Sequence, residues 1–471
     1  MLLRYVYDFN LAQASYMVGC QATGEAIIVD PARDVDIYLK TARAEGLRIT
    51  GAAETHIHAD FVSGARELAE RAGACLYLSD AGDENWKYRY VKNCKHQLLN
   101  DGEAFKIGNI KFDVMHTPGH TPEHLSFLVT DTAGANRPMG LFSGDFVFVG
   151  DVGRPDLLEK AAGISGTAQI GARQMFHSLQ RFKQLPDYLQ IWPAHGAGSA
   201  CGKALGAVPS STVGYEKLFN WALAYDDEEK FAAALLAGQP EPPKYFAMMK
   251  RVNKEGPNLL ANAKPPAQIS FERIEQLLKE GATVIDTRAA AAFAGGHVPG
   301  TINIPHNQSF ITWAGWLLDY EKPFYLIASS GRIETINKEL RAIGLDNLAG
   351  YFDADGLKAW AATGHGLQAY ETTTPAQIAD QIMNGKATLI DVRNSSEWQA
   401  ERIRGAKHIM LGYLSERLGD IPRDKPIVVQ CRTGSRSAIG ASILQSRGFV
   451  NVSNLLGGIV DWKAAGLPID A

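Results

Sequence analysis

Thr55–His56–Ile57–His58–Ala59–Asp60–Phe61–Val62–Ser63–Gly64 decides how the rest of this 471-residue chain is read. Ile49 to Glu54 reads as a short buried strand, and Gly64 to Ala72 as an amphipathic helix. The quoted stretch is therefore the turn between a strand's carboxyl end and a helix, where open α/β architectures place ligands. Two histidines and a carboxylate within five residues suit a transition metal, because imidazole and carboxylate oxygen both ligate zinc and iron. The plainer alternative is a polar turn in which His58 and Asp60 cap the helix.

Three further strand ends repeat the design. His116–Thr117–Pro118–Gly119–His120–Thr121–Pro122 follows the strand of a hairpin formed by Phe105–Ile107 and Ile110–Val114. The Pro-Gly pair forces a tight turn that holds His120 rigidly. Gly140–Leu141–Phe142–Ser143–Gly144–Asp145 is an apolar strand delivering one carboxylate, and Ile191–Trp192–Pro193–Ala194–His195 delivers one more imidazole. Strands around Ser15–Gly19 and Glu25–Asp30, and a helix over Val35–Ala44, complete a mixed sheet layered with helices. His116 and His124 flank the second cluster and read as structural or as residues supporting the ligands from outside.

Composition sets bounds on function. At 471 residues the chain should hold two to four domains, and a net charge of −4 gives no electrostatic case for nucleic acid or an anionic membrane. No apolar run approaches the roughly 20 residues of a membrane span. Five scattered cysteines, Cys20, Cys75, Cys94, Cys201 and Cys431, argue against a disulfide framework and for a cytoplasmic setting.

The ordered set His-x-His-x-Asp, Thr-Pro-Gly-His-Thr, Ser-Gly-Asp and Pro-Ala-His is similar to the metallo-β-lactamase superfamily over essentially all of residues 1–210. The resemblance implies an αββα sandwich with a metal at one edge. Dinuclear zinc hydrolases of that superfamily, such as the glyoxalase II type, carry a further His after the first motif, where this sequence has Phe61. A phenyl ring cannot ligate. A two-His, one-carboxylate site leaves open positions for O₂ and substrate, and the branch with that arrangement is the persulfide dioxygenases. By motif position the resemblance implies mononuclear Fe(II) on His56, His120 and Asp145, with His58, Asp60 and His195 orienting them; zinc is the alternative. Gly153–Arg154–Pro155–Asp156 matches that family's Gly-Arg-x-Asp segment, so Arg154 is expected either to bind substrate anions or to form an ion pair. Cys201, six residues past His195, is either a persulfide-bearing relay thiol or incidental.

Beyond Lys264–Pro265–Pro266 the chain says similar things twice. Val284–Ile285–Asp286–Thr287–Arg288 matches Leu389–Ile390–Asp391–Val392–Arg393, and Pro323–Phe324–Tyr325–Leu326–Ile327 matches Pro426–Ile427–Val428–Val429–Gln430. The second copy then gives Cys431–Arg432–Thr433–Gly434–Ser435–Arg436–Ser437 before an apolar helix. A cysteine in a loop of backbone N–H groups at a helix start is a candidate nucleophile for anionic sulfur or phosphorus groups. Counting from Pro323 puts Ala328 at the cysteine's place in the first copy. The second copy resembles a rhodanese domain, a family of sulfurtransferases, and the first resembles one without its nucleophile.

The expected architecture is therefore α/β: a metallo-β-lactamase-type persulfide dioxygenase domain over 1–262, an inactive rhodanese-like domain over 265–370 and an active one over 373–471. The order resembles persulfide dioxygenase–rhodanese fusions of sulfide detoxification. It implies O₂, a low-molecular-weight thiol persulfide, sulfite and thiosulfate as small-molecule partners, and a homo-oligomer. The rival reading is a zinc thioester hydrolase fused to a rhodanese.

Overall fold

The computed structural model describes residues 1–157, 159, 166–203 and 205–470. It divides into two compact units, Met1–Ala263 with Arg341–Gly344, and Lys264–Leu340 with Leu345–Ala471.

The first unit holds two six-stranded sheets. One runs β1 (Leu2–Asp8), β2 (Gln13–Cys20), β3 (Glu25–Val29), β4 (Arg48–Ala53), β5 (Cys75–Ser79), β6 (His96–Leu99), in that spatial order. Its first three strands pair antiparallel and the rest parallel. The other contains β7 (Ala104–Ile107), β8 (Ile110–His116), β9 (Leu125–Asp131), β10 (Gly140–Gly144), β11 (Gln190–Pro193) and β12 (Ser211–Thr212), also in order. The hairpin expected from Gly108–Asn109 joins β7 to β8.

Side-chain alternation along the strands builds three cores from two sheets. From β2 and β3, Tyr16, Val18, Ile27 and Val29 point inward to meet Phe112, Phe127 and Phe142 of the second sheet. Their neighbours Met17, Ala26 and Ile28 point outward, beneath the helices carrying Tyr38 and Leu68. On the far side, Leu141 and Ile191 lie under the helix Thr167–Lys183 through Ala172, Met175 and Leu179. Helices thus cover the outer face of each sheet, giving the αββα sandwich.

The second unit contains two parallel sheets. The first is ordered β14 (Ile302–Asn303), β13 (Thr283–Asp286), β15 (Phe324–Ala328), β16 (Leu348–Asp353). The second is ordered β17 (Glu371–Thr373), β22 (Val452–Leu455), β21 (Ile427–Gln430), β18 (Thr388–Asp391), β20 (Lys407–His408). A short antiparallel pair, β19 (Arg402–Ile403) with β23 (Ile469–Asp470), closes the second copy. Among the described residues no helix is long and apolar enough to cross a membrane.

Candidate metal centre and thiol site

The four polar clusters meet at the strand ends of the first unit. His56 follows β4, His120 follows β8, and Asp145 follows β10; their ligating atoms lie within 4.8 Å of one another, and all three residues are buried. Each imidazole is oriented through Nδ1. His56 Nδ1 meets Thr55 Oγ1 at 3.0 Å, and that hydroxyl donates to Asp30 Oδ2 at 2.9 Å. His120 Nδ1 donates to the Arg154 carbonyl at 2.9 Å. The protons are thereby placed on Nδ1 and the Nε2 lone pairs are left for a ligand.

His56 Nε2 and both Asp145 carboxylate oxygens are buried without hydrogen-bond partners among the described residues. A buried carboxylate whose oxygens accept no hydrogen bond is costly, so this donor set fits a bound cation. Burial, reinforced by the neighbouring imidazoles, holds His56 well below the ordinary histidine value. Burial outweighs the Asp145 carboxylate and lowers His120 as well. Both favour the neutral form that a metal needs.

Gly144 sets the delivery of Asp145. Its backbone is left-handed at φ +53, and a Cβ there would come within 2.6 Å of His124 Nε2 and 2.7 Å of Thr55 Cβ. His124 Nε2 accepts the Asp145 backbone N–H at 3.0 Å, while its Nδ1 lies 2.8 Å from Thr117 Oγ1. His124 thus acts as a buried bracket for the carboxylate, and His116 is tied to the Pro122 carbonyl instead.

The expected surrounding residues divide. His195 Nε2 lies 3.2 Å from Asp60 Oδ2 and 3.4 Å from Asp145 Oδ1, and its Nδ1 donates to the Ala12 carbonyl. Burial would lower His195, but the Asp145 and Asp60 carboxylates hold it above its ordinary value. His58 points elsewhere. Its Nε2 is 3.1 Å from Asp30 Oδ1 and 3.0 Å from Glu54 Oε2, while its ring packs against that of His56 at 4.2 Å between centroids. The Phe61 ring packs on His58 at 4.4 Å between centroids.

Arg154 is fully buried, and its guanidinium is committed. Nε and Nη2 bind Asp156 at 3.0 and 2.9 Å, and Nη1 and Nη2 donate to the Ala200 and Pro240 carbonyls. That leaves it no free edge for a substrate anion. Its service to the site is the carbonyl that orients His120. Cys201 joins Asp60 and His195 in a second group of potential ligands within 4.8 Å. Burial, with Asp60 and Asp145 nearby, pushes its thiol well above the usual value, opposite to what a persulfide-bearing thiolate requires.

In the second unit, Cys431 stands one residue past β21. Its Sγ accepts from the Gly434 N–H at 3.1 Å and from Ser437 Oγ at 3.4 Å. The loop Arg432–Thr433–Gly434 opens into the helix Ser435–Ser446. Arg432 and Thr433 are exposed. Arg436 is held by Glu397, with Nη1–Oε2 at 2.6 Å and Nη2–Oε1 at 2.8 Å.

Comparison with known proteins agrees with both halves. The family described as the metallo-beta-lactamase superfamily matches residues 9–195, and the rhodanese-like domain matches twice, over 270–363 and 374–465. The solved metallo-beta-lactamase from Staphylococcus aureus subsp. aureus COL is 47% identical, covering 75% of this chain and 98% of that one at a TM-score of 0.67. The chain belongs to the metallo-β-lactamase superfamily. Two rhodanese-like domains follow its metallo-β-lactamase domain. The hydroxyacylglutathione hydrolase of Gloeobacter violaceus is 35% identical over 40% of this chain and 67% of its own length. The solved ETHE1 of Myxococcus xanthus is 26% identical, covering 54% of this chain and 98% of that one, at a TM-score of 0.44.

Within this metallo-β-lactamase domain, sequence reading missed three carboxylates. Asp30 and Glu54 directly follow β3 and β4 and hold His58. Glu123 accepts the Ile57 N–H at 2.8 Å, and burial pushes its carboxyl up to about 7. The only available signal was an acid at the end of each of two buried strands.

Proposed function

We propose that the first unit is a mononuclear Fe(II) persulfide dioxygenase and that Cys431 is the nucleophile of a sulfurtransferase acting on related substrates. The observation that carries the reading is the three-donor group of His56, His120 and Asp145, whose ligating atoms lie within 4.8 Å of one another. His58 is turned to Asp30 and Glu54, and Phe61 offers no donor atom. The net oxidation is RSSH + O₂ + H₂O giving RSH, sulfite and two protons. Iron held by these residues would supply O₂ binding and the redox capacity. The protein's own part is orientation: the Arg154 carbonyl fixes His120, His124 fixes Asp145, and Thr55 fixes His56.

At the second site the Cys431 thiolate attacks the outer sulfur of a persulfide. An Sγ–S bond forms, the RS–S bond breaks, and RS⁻ leaves as RSH with a proton from solvent. Sulfite then displaces Cys431 thiolate from that sulfur, releasing thiosulfate. Every step is a displacement and requires no further oxidant. The Gly434 N–H and Ser437 hydroxyl stabilise negative charge on Sγ whenever it leaves or attacks.

One observation favours a second reading. Asp60, His195 and Cys201 form a further donor group beside the first, as a dinuclear zinc thioester hydrolase would need. Metal analysis of anaerobically purified protein, with O₂ uptake on adding a thiol persulfide, separates the two. About one iron per chain with persulfide-dependent uptake is expected for a three-donor site. Two zincs, or no uptake with any persulfide, would favour the hydrolase.

A further inference from the structure

The second unit contains a cavity of about 770 Å³ that the sulfur-transfer reading leaves unused. It is built on the copy that lacks the cysteine. Arg288 follows β13, His306 follows β14, Ser329 and Arg332 follow β15, and Asp355 follows β16. These are the carboxyl ends of all four strands of one parallel sheet, where α/β folds bind ligands. The first copy has lost its nucleophile and kept its pocket. Ser435, Arg436 and Ile439 of the second copy form the remaining wall, on the helix into which the Cys431 loop opens.

The charges in this cavity are unequal. Arg288 is bound by Asp286, and Arg436 by Glu397. Arg332 and Lys358 have no side-chain hydrogen bond or ion pair among the described residues. Counting from Asp286 and Asp391, Ala292 stands where Glu397 does, so Arg332 lacks the carboxylate that holds Arg436. Trp313 and Ile336 add apolar surface. Sulfite and thiosulfate are far too small to fill such a volume, which belongs to the range of drug-sized ligands, about 300–1,000 Å³.

We propose that the first rhodanese-like copy is the binding site for the thiol carrier. The ligand is an anionic low-molecular-weight thiol, with carboxylate or phosphate groups on Arg332 and Lys358 and its body against Trp313. The inference rests on the sulfurtransferase reading of Cys431 and names its substrate class. It makes the first copy a working part of transfer rather than a spacer.

The test uses the full chain carrying Cys431→Ser, so that binding is read without turnover. Calorimetric titration with coenzyme A and with glutathione is compared between that chain and one also carrying Arg332→Glu and Lys358→Glu. Saturable binding of at least one thiol, weakened about tenfold or more by reversing two charges, is expected. Binding of coenzyme A alone assigns phosphate recognition, binding of glutathione alone assigns carboxylate recognition, and binding of both assigns a site that takes either anion. In the chain with Cys431 intact, the double variant should raise KM for the thiol acceptor at similar kcat. Transfer from thiosulfate to cyanide, which has no anionic body, should stay unchanged. No saturable binding of either thiol, equal binding by the double variant, or an equal loss of cyanide transfer overturns the proposal. A wild-type chain that transfers sulfur to no acceptor would sink the sulfurtransferase reading, and the titration would still decide the pocket.

Discussion

Asp286 and Asp391 occupy the same place in two parallel sheets, and each clamps the arginine two residues on. Arg288 Nη2 lies 2.6 Å from Asp286, and Arg393 Nη2 lies 2.7 Å from Asp391. Asn303 and His408, at matching register, each bond to that arginine's carbonyl. Asp286 pairs with Ile327 and Asp391 with Gln430, so the next residues, Ala328 and Cys431, are true counterparts. The two copies share this buried polar frame and differ at the strand end. The frame is therefore a requirement of the fold, because it survives where no cysteine needs it. The chemistry lies in the loop and in the turn that packs behind it.

That turn differs too. In the second copy Gly457 and Gly458 are left-handed, at φ +69 and +53, and a Cβ on Gly458 would come within 2.1 Å of the Cys431 carbonyl oxygen. In the first copy Gly356 is right-handed at φ −75, and a Cβ would meet only the Phe271 ring, at 3.4 Å.

The comparison is most exposed at the nucleophile. Cys431→Ser should reduce sulfur transfer by about 10³-fold or more and leave persulfide-dependent O₂ uptake intact, measured as separate assays. Loss of both together would break the division between the two sites. Next in size, Gly458→Ala should displace the loop and cost transfer by about 10- to 100-fold, whereas Gly356→Ala should change the melting free energy by less than about 1 kcal/mol. Equal effects in kinetics and thermal melts would mean that the turn is not what separates the copies.

A smaller effect tests the Arg436 clamp. Burial alone would raise the Glu397 carboxyl, but the bonded Arg436 guanidinium holds it below the ordinary carboxylate value. A depressed carboxylate contributes stability that is fully present above its unfolded value, about 4.3, and lost as pH falls through the folded value. The stability difference between wild type and Glu397→Gln should therefore be constant near neutrality and shrink on acidification below about pH 4.3. Denaturant melts across that range would read it. A difference that grew toward acid would contradict the clamp. Smallest of all, Ala328→Cys should restore transfer in the first copy to below about 1% of the Cys431 rate, because a thiol without its oriented donors remains a weak nucleophile. The rate is read in the Cys431→Ser background, and substantial recovery would move the difference from the loop to the single atom.

The copies were legible in sequence because their strands repeat in order, so counting to Ala328 needed only a ruler. His56, His120 and Asp145 were legible for a related reason, since each sits where a strand runs into a tight turn. The order of strands across the two six-stranded sheets was not, because pairing is nonlocal and period-2 patterning marks a face without naming a neighbour. His58 illustrates the same limit within the site. Its motif position matched a ligand-type residue, yet Asp30, 28 residues away, and Glu54 decide where its Nε2 points. Arg154 could equally have faced a pocket. Only the folded positions of Asp156, Ala200 and Pro240 show that all three of its nitrogens are engaged. Cys201 was open for the opposite reason, since burial, which raises its thiol, is invisible in a glycine-rich loop.

The most direct test of this account is to locate the transferred sulfur. The full chain is treated with a thiol persulfide, the excess is removed, and intact and peptide masses are read without reductant. The account predicts one added sulfur atom per chain, on the peptide carrying Cys431, and none on that peptide in Cys431→Ser. Sulfur retained on Cys201 instead, or a wild-type chain that gains none, would contradict it.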